Sequence, residues 1–133
     1  MKYEFQECIG VKLRNLSRIV DYQFREALAG TNITENQMSI LFALYKAEEI
    51  EQGRLGDFLF LKRSTISRNL KLLDKMGLVI RSADYRPIVG LSENGKEVVE
   101  HLAPIWETVM DSLIAKIGDN GVSNINQLTK KLG

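Results

Sequence analysis

The amino-acid sequence predicts a mainly α-helical fold that carries one small β-hairpin. Three observations predict it. Apolar residues recur at the helical period near both ends of the chain, two helical segments joined by a tight turn occupy the middle, and two short β-prone runs follow them. Two helices, a tight turn and a hairpin in this order are typical of a winged helix-turn-helix, here flanked by long N- and C-terminal helices.

The composition is that of one globular domain. Of the 133 residues, 44% are apolar and 26% are charged, and a chain of this length can fold without covalent or metal cross-links. One cysteine, Cys8, and one histidine, His101, allow neither an internal disulfide nor a zinc site, so we expect no metal and no cofactor. The sequence shows neither a secretion signal nor an apolar run of about 18 residues, so we expect a cytoplasmic protein.

The first helix is predicted to run for roughly 25 residues, a length of about 37 Å. Its apolar positions follow steps of three and four along the chain. They are Phe5, Ile9, Leu13, Leu16, Val20, Phe24 and Ala27. Because such a helix is longer than a compact domain of this size is wide, we expect part of it to project and to pair with a second copy of the chain.

A second helix is predicted to start at Thr34, since Thr34 and Gln37 have the spacing of a capping box. It runs to about Ala47 and turns Met38, Leu41, Leu44 and Tyr45 inward. The polar link that follows, residues 48–53, is compatible with a short strand.

The centre of the chain predicts two helices joined by a tight turn. Leu55, Phe58 and Leu59 form the first, and residues 60–63 turn the chain. Ser64 is expected to cap the second helix, whose buried stripe is Ile66, Leu70 and Leu73. Gly77 then ends that helix as a left-handed residue, with Leu78 in contact behind it.

The last third predicts a hairpin and further helix. Residues 78–81 and 88–91 are the strands, and residues 82–87 form the loop with Asp84, Tyr85 and Arg86 at its tip. Ser92 caps a long helix that Pro104 is expected to kink, and residues 118–121 break it before Ser123 caps a last short helix. The apolar stripe of the long helix is Val98, Leu102, Ile105, Val109 and Leu113.

Charge is concentrated in the middle of the chain. Residues 54–86 carry eight basic and three acidic side chains, a net charge of +5, whereas the segments before and after each carry −2. A basic block between acidic flanks is the electrostatic pattern of a phosphate-binding surface. The alternative is an ordinary solvated surface rich in basic residues.

The second helix of the pair carries the residue types that read DNA. Ser64, Thr65 and Ser67 offer hydroxyls to phosphates and base edges, and Arg68 is long enough to bridge the O6 and N7 atoms of guanine. Lys71 and Lys75 lie further along, where phosphates are reached, and Arg86 at the hairpin tip is placed for the minor groove. The full set of candidate DNA-binding residues is Lys62, Arg63, Ser64, Thr65, Ser67, Arg68, Lys71, Lys75, Arg81 and Arg86.

Two other functions are weighed against DNA binding. One is a winged helix that binds a protein instead of DNA, and its basic recognition surface argues against this interpretation. If Ser64 and Thr65 only capped the helix and its basic residues only kept it soluble, the helix would carry mixed charge, whereas basic residues predominate between 62 and 76. The other is an enzyme. The chain lacks a Ser-His-Asp or Cys-His set and a glycine-rich phosphate loop, so the sequence predicts no enzyme.

The stretch from Leu55 to Arg81 resembles the DNA-binding core of the MarR family of transcription regulators. Ile33-Thr34 with Gln37, and Leu91-Ser92 with Gly95, resemble the signatures that flank this core. The resemblance implies a homodimeric repressor that binds double-stranded DNA at a pseudo-palindromic operator and is released by a ligand. It also implies one MarR-like domain over 1–133, with dimerisation helices at 1–30 and 97–133 around a DNA-binding lobe at 33–92.

The sequence departs from the family pattern in two places. The loop of the wing is shorter than usual in the family and offers only Asp84, Tyr85 and Arg86 at its tip, which leaves open whether Arg86 reaches the minor groove. Phe60 stands in the turn where the family commonly has glycine.

Two kinds of signal input are open. Some family members sense oxidants through a cysteine in the first helix, and Cys8 falls there; its acidic neighbours Glu4 and Glu7 do not stabilise a thiolate, so a structural or interfacial role is favoured. The alternative is a small aromatic ligand. Tyr45, Trp106 and Met110 are its candidate lining, although an aromatic and methionine stripe is more often plain core.

Overall fold

The computed structural model describes all of residues 1–133. The chain is mostly helical, and its three short strands lie together in one antiparallel sheet. No helix is both long and apolar enough to cross a bilayer. The elements are α1 (Ile9–Ala27), α2 (Glu35–Ala47), β1 (Glu49–Glu51), α3 (Gln52–Leu59), α4 (Arg63–Lys75), β2 (Val79–Arg81), β3 (Ile88–Leu91) and α5 (Glu93–Leu132).

One apolar cluster lies at the centre of the fold. Helix α2 supplies Ile40, Leu41 and Leu44, which are fully buried. The predicted stripe of α4 packs into the same cluster, because Ile66, Leu70 and Leu73 are all buried. Tyr45 is the exception to the prediction for α2. Its side chain is half exposed, since three apolar residues of α2 already fill the side that faces the core.

The sheet has the strand order β1-β3-β2, and both pairs are antiparallel. The hairpin of β2 and β3 confirms the predicted wing, and β1 confirms the short strand expected in the link after α2. Val79 and Val89 point into the core, whereas Ile80 and Ile88 point away from it. Strand β1 follows α2 after one residue and pairs with β3. The hairpin of the wing is therefore joined to the core helix α2 along its β3 side.

The first helix is shorter than predicted. Residues Phe5–Glu7 form a separate 3₁₀ turn, and α1 begins only at Ile9, so it spans 19 residues, about 28 Å. The turn closes on itself because the amide of Glu4 donates to Oε2 of Glu7 at 2.7 Å. The apolar side chains of α1 remain on the surface, among them Ile9, Leu13, Leu16, Ile19 and Tyr22.

The predicted start of α2 is confirmed in atomic detail. The amide of Gln37 donates to the hydroxyl of Thr34 at 3.2 Å, and the amide of Thr34 donates to Oε1 of Gln37 at 3.1 Å. This reciprocal pair satisfies two amides that a helix end otherwise leaves unpaired. Gln37 is consequently buried although it is polar.

The predicted start of α4 is wrong by two residues. Lys62 has extended backbone angles and occupies the N-cap, and α4 begins at Arg63 without a side-chain cap. Ser64 therefore lies inside the first turn, where its hydroxyl does not cap the helix. The end of α4 agrees with the prediction. Gly77 has a φ of 76°, and the amide of Leu78 donates to the carbonyl of Leu73 at 3.0 Å, which closes a Schellman motif.

Helix α5 begins as predicted and is interrupted within the predicted segment 118–121. The amide of Gly95 donates to the hydroxyl of Ser92 at 3.0 Å, and that hydroxyl donates to the carbonyl of Gly77 behind the end of α4. Pro104 lies inside α5 and keeps helical backbone angles, so the helix continues through it. The break lies at Gly118, with φ 72° and ψ 175°. Helical structure resumes at once, and Ser123 is inside the helix instead of capping it.

Replacing Gly95 by Ala will destabilise the fold. A methyl group at this position would overlap the carbonyl oxygen of Leu78, which is backbone and cannot swing away. We expect a loss of about 1–3 kcal/mol or more in the free energy of unfolding. Urea denaturation measures it.

Gly53→Ala is the matched control, because the nearest atom to a methyl group there is the flexible Glu51 carboxylate at 3.6 Å. Its stability should stay unchanged or rise slightly. Equal stability of the two variants would contradict the close approach at Gly95.

Candidate nucleic-acid interface

Helix α4 has one buried and one exposed side. Its leucine and isoleucine stripe is held in the core, so the helical period turns the remaining positions outward. Thr65 and Ser67 lie at the border and are half buried. The exposed candidates on or next to α4 are Lys62, Arg63, Ser64, Arg68, Lys71 and Lys75. The structure therefore brings together a continuous run of hydroxyls and cations, as the sequence predicted.

The turn between α3 and α4 determines where this helix starts. The amide of Leu61 donates to the carbonyl of Gly56 at 3.0 Å, and Gly56 is buried directly against Leu61 and Ile66. A side chain at Gly56 would meet the Leu61 carbonyl oxygen at 3.2 Å, so only a small residue allows this close turn. The tight turn leaves the first residues of α4 at the end of the lobe, open to solvent.

The loop of the wing is closed at its base. The amide of Ser82 donates to the carbonyl of Ile88 at 3.0 Å, and the amide of Ile88 donates to the hydroxyl of Ser82 at 2.9 Å. The tip residues Asp84, Tyr85 and Arg86 lie beyond this closure and are exposed.

A groove of about 510 Å³ separates the wing from α4. Its walls include Arg63 and Ser67 from α4, Arg86 from the wing and Arg54 from α3. Arginines from α3, α4 and the wing thus line one groove. The acidic residues Glu51 and Asp57 also line it and reduce its positive charge. Arg54 was not among the predicted DNA-binding residues. The only signal for it in the sequence is that it belongs to the basic block 54–86.

Arg81 differs from the other predicted DNA-binding residues. Its Nη2 atom lies 3.3 Å from Oδ2 of Asp74, and its side chain is only 24% exposed. The guanidinium is therefore turned towards α4 and joins the base of the wing to that helix. Its placement on the DNA-binding surface is not supported, because strand β2 directs the side chain to the protein.

The predicted ligand lining does not form one cavity wall. Tyr45 lines a groove of about 1090 Å³ against the sheet, together with residues such as Ile80, Ile88 and Lys96, but neither Trp106 nor Met110 lines that groove. Trp106 instead packs edge-on against Phe42, with ring centroids 5.5 Å apart. In the single chain, Tyr45 therefore faces the sheet side of α2 while Trp106 packs against the core, and a shared ligand lining for these residues stays a prediction.

Cys8 occupies the N-cap of α1 rather than its interior. Its thiol side chain is exposed and makes no disulfide. Cys8 was predicted to lie within the first helix. It lies at the N-cap because the 3₁₀ turn Phe5–Glu7 is separate and α1 begins only at Ile9. His101 is an exposed residue of α5, away from the elements that form the basic surface.

Comparison with known proteins finds similarity to transcription regulators. A model of the MarR family matches residues 31–86. An organic hydroperoxide resistance transcriptional regulator of Bacillus subtilis is 30% identical over 114 residues, covering 83% of this chain and 76% of that protein. The uncharacterized HTH-type regulator YdgJ of the same organism is 27% identical over 110 residues; the match covers 80% of this chain and 65% of YdgJ, just under two thirds of that relative.

Two solved structures share the fold over almost the whole chain. Bordetella bronchiseptica BpsR, whose DNA binding is regulated by 6-hydroxynicotinic acid, superposes with a TM-score of 0.88 at 20% identity and covers 99% of this chain and 98% of its own. Staphylococcus aureus MepR in complex with DNA gives 0.81 at 24% identity, covering 97% and 98%.

The fold and the exposed basic helix define a winged helix-turn-helix transcription regulator. The chain belongs to the MarR family. This confirms the resemblance that the central motif indicated. Since the family and both relatives are transcription regulators, the expectation that the chain is not an enzyme is confirmed as well.

Replacing Asp74 by Asn will raise the affinity for duplex DNA at low salt by roughly fivefold at most, an electrostatic effect of about 1 kcal/mol. The change removes the only acidic side chain among the cations of α4 and releases Arg81. Stability should fall by no more than about 1 kcal/mol, because Asp74 is half exposed. Electrophoretic mobility shifts at two salt concentrations measure the affinity.

Glu93→Gln is the control, since Glu93 also forms an ion pair, with Lys96 at 3.4 Å, outside the basic surface. An equal rise in affinity for both variants, or no rise for Asp74→Asn, would contradict the placement of Asp74 beside bound DNA.

Proposed function

We propose that the protein is a homodimeric repressor that binds a pseudo-palindromic DNA operator and is released from it by a small aromatic ligand. The observation that carries this proposal is the exposed side of α4, where hydroxyls and cations stand clear of the protein's own body. The major groove is about 12 Å wide and accepts a helix presented in this way.

Base readout is assigned to the first two turns of α4. Ser64, Thr65 and Ser67 contact base edges and phosphates, and Arg68 donates to the O6 and N7 atoms of a guanine. Arg68 is exposed and forms no ion pair, so its guanidinium is available. Lys62, Arg63, Lys71 and Lys75 hold phosphates, which position the helix without selecting a sequence.

The wing extends the contact beyond the major groove. Arg86 is exposed at the tip and faces the same groove as Arg63, so the wing approaches the DNA beside the start of α4. We assign Arg86 to the adjacent minor groove, where narrow A·T tracts attract arginine.

The terminal helices are proposed to form the dimer. Large apolar side chains on α1 are exposed in the single chain, and α5 exposes more of them beyond the Gly118 break. Apolar surface of this extent is stabilised by a partner, at about 25 cal/mol for each Å² removed from water. Residues 1–30 and 97–133 are accordingly assigned to dimerisation, and 33–92 to the DNA-binding lobe. The exposed set after the break is Ile125, Leu128 and Leu132.

A small aromatic effector is proposed because BpsR, which shares the fold, is regulated by 6-hydroxynicotinic acid. The effector would act by favouring a dimer geometry in which the two copies of α4 no longer match successive major grooves. Selecting DNA fragments from a random pool, with and without added phenolic and pyridine carboxylates, tests both the operator and its release. A protein-binding module would select no DNA sequence.

Arg68→Ala and Lys75→Ala will have different effects on DNA binding. Loss of Arg68 should weaken binding to the selected operator by about 1–3 kcal/mol and relax the preference at one base position. Loss of Lys75 should weaken binding to all sequences alike and reduce the slope of log K against log salt by about 1. Salt titrations with operator and random duplexes measure both effects.

Lys96→Ala is the control, because the exposed Lys96 lies in the first turn of α5, outside both the basic surface and the residues assigned to dimerisation, and should change neither quantity. Unchanged operator selectivity in Arg68→Ala would remove Arg68 from the readout.

Leu16→Glu will convert the dimer to a monomer. Leu16 is about half exposed in the single chain, and a buried carboxylate in the dimer interface would be costly. Sedimentation should give about twice the chain mass of 15.1 kDa for the unmodified protein and the chain mass for the variant. Operator affinity should fall as well, since the two reading helices of the dimer lie about 34 Å apart, one turn of DNA.

Arg14→Glu places the same carboxylate on the exposed side of α1 that points away from Leu16, and this variant should remain dimeric. A wild-type mass near that of one chain at micromolar concentration would contradict the assignment of α1 to the interface.

A further inference from the structure

We propose that Phe60, in the turn between α3 and α4, contacts an apolar group of the operator DNA. The inference rests on the proposed DNA binding and adds a contact that neither charge nor hydrogen bonding supplies. It follows from the strained backbone of Phe60, its exposed ring and its place beside the basic start of α4.

The backbone of Phe60 is in an unfavourable conformation for this residue type. It forms the C-cap of α3 with φ 54° and ψ 37°, in the left-handed region. An L-residue with a bulky side chain is an outlier there, whereas glycine adopts the same angles without steric cost. Its amide donates to the carbonyls of Asp57 and Gly56 at the end of α3, so the backbone is held in this conformation. Strain of this kind is often kept at functional sites.

No contact within the chain compensates for the strain. The Phe60 residue is 92% exposed, so its ring is not part of the core. The next residue, Leu61, packs against the core and supplies the apolar anchor of the turn instead. A phenylalanine at position 60 therefore costs the folded chain twice, once in backbone strain and once in exposed apolar surface.

The position of Phe60 relative to α4 identifies what the ring meets. It precedes the N-cap Lys62 by two residues, so their Cα atoms are at most about 7 Å apart. When the first turn of α4 enters the major groove, Phe60 lies at the edge of that groove. The apolar groups there are the 5-methyl groups of thymine and the deoxyribose carbons. The exposed cations Lys62, Arg63 and Arg54 nearby favour DNA over an apolar protein surface.

Phe60→Gly tests the proposal because it should change stability and DNA affinity in opposite directions. Removal of the strain raises the thermal midpoint by a few degrees. Loss of the ring lowers the affinity for the selected operator roughly tenfold. A merely structural role would lower both quantities together, and a solvated ring would leave the affinity unchanged.

Two further variants separate the ring from the backbone. Phe60→Asn tolerates the left-handed conformation without an apolar side chain, so it should lose affinity as Phe60→Gly does. Phe60→Leu keeps the strain and an apolar side chain, so it should bind more tightly than either. Glu48→Gly is the control, since Glu48 also has a positive φ, 66°, at a helix end, and should gain stability at unchanged affinity.

Operators in which single thymines are replaced by deoxyuracil identify the apolar group. A thymine methyl contact predicts that one such position weakens the wild type and leaves Phe60→Gly unaffected. A deoxyribose contact predicts the affinity loss in Phe60→Gly without any deoxyuracil effect. Operator affinity of Phe60→Gly equal to that of the wild type overturns the inference and leaves the proposed function standing. Failure of the wild type to select any DNA sequence overturns both.

Discussion

The burial of three apolar side chains of α4 is the constraint on which the candidate interface depends. Ile66, Leu70 and Leu73 are almost completely inaccessible and pack into the cluster built around α2. Since a helix has only one orientation that buries such a stripe, every other side chain of α4 takes its direction from it. The hydroxyls and cations are exposed because the core holds the opposite side, and the surface chemistry is thus a consequence of packing.

Most of the fold could be predicted because periodicity and capping are local properties. The Thr34–Gln37 capping box, the left-handed Gly77 and the Ser92 cap all depend on residues within a few positions of one another. The incorrect predictions of helix ends also have local causes. Ser64 was expected at the N-cap because of its residue type. The last residue with an extended backbone is Lys62, however, so Lys62 occupies the N-cap. At Gly118 the helix changes direction in one residue and continues, which a cluster of turn-forming residues does not distinguish from a longer break.

The candidate site was predictable in its chemistry and less so in its geometry. The basic residues of α4 were identified from charge and from their positions outside the apolar stripe, and the structure exposes them together. The ion pair of Arg81 with Asp74 and the approach of Arg54 to the wing depend on how β2 and α3 pack. Such contacts join residues whose spacing along the chain carries no periodic signal. Tyr45 was misplaced for a related reason, since a helix next to a sheet has a second partly covered side that apolar periodicity does not reveal.

The hydroxyl of Ser92 has a mechanical consequence for the molecule. It accepts the amide of Gly95 in the first turn of α5 and donates to the carbonyl of Gly77, immediately after α4. The two helices are separated in sequence by the whole hairpin, yet one oxygen atom joins their ends. The start of α5 is therefore held against the end of α4 by a contact that does not run through the hairpin loop.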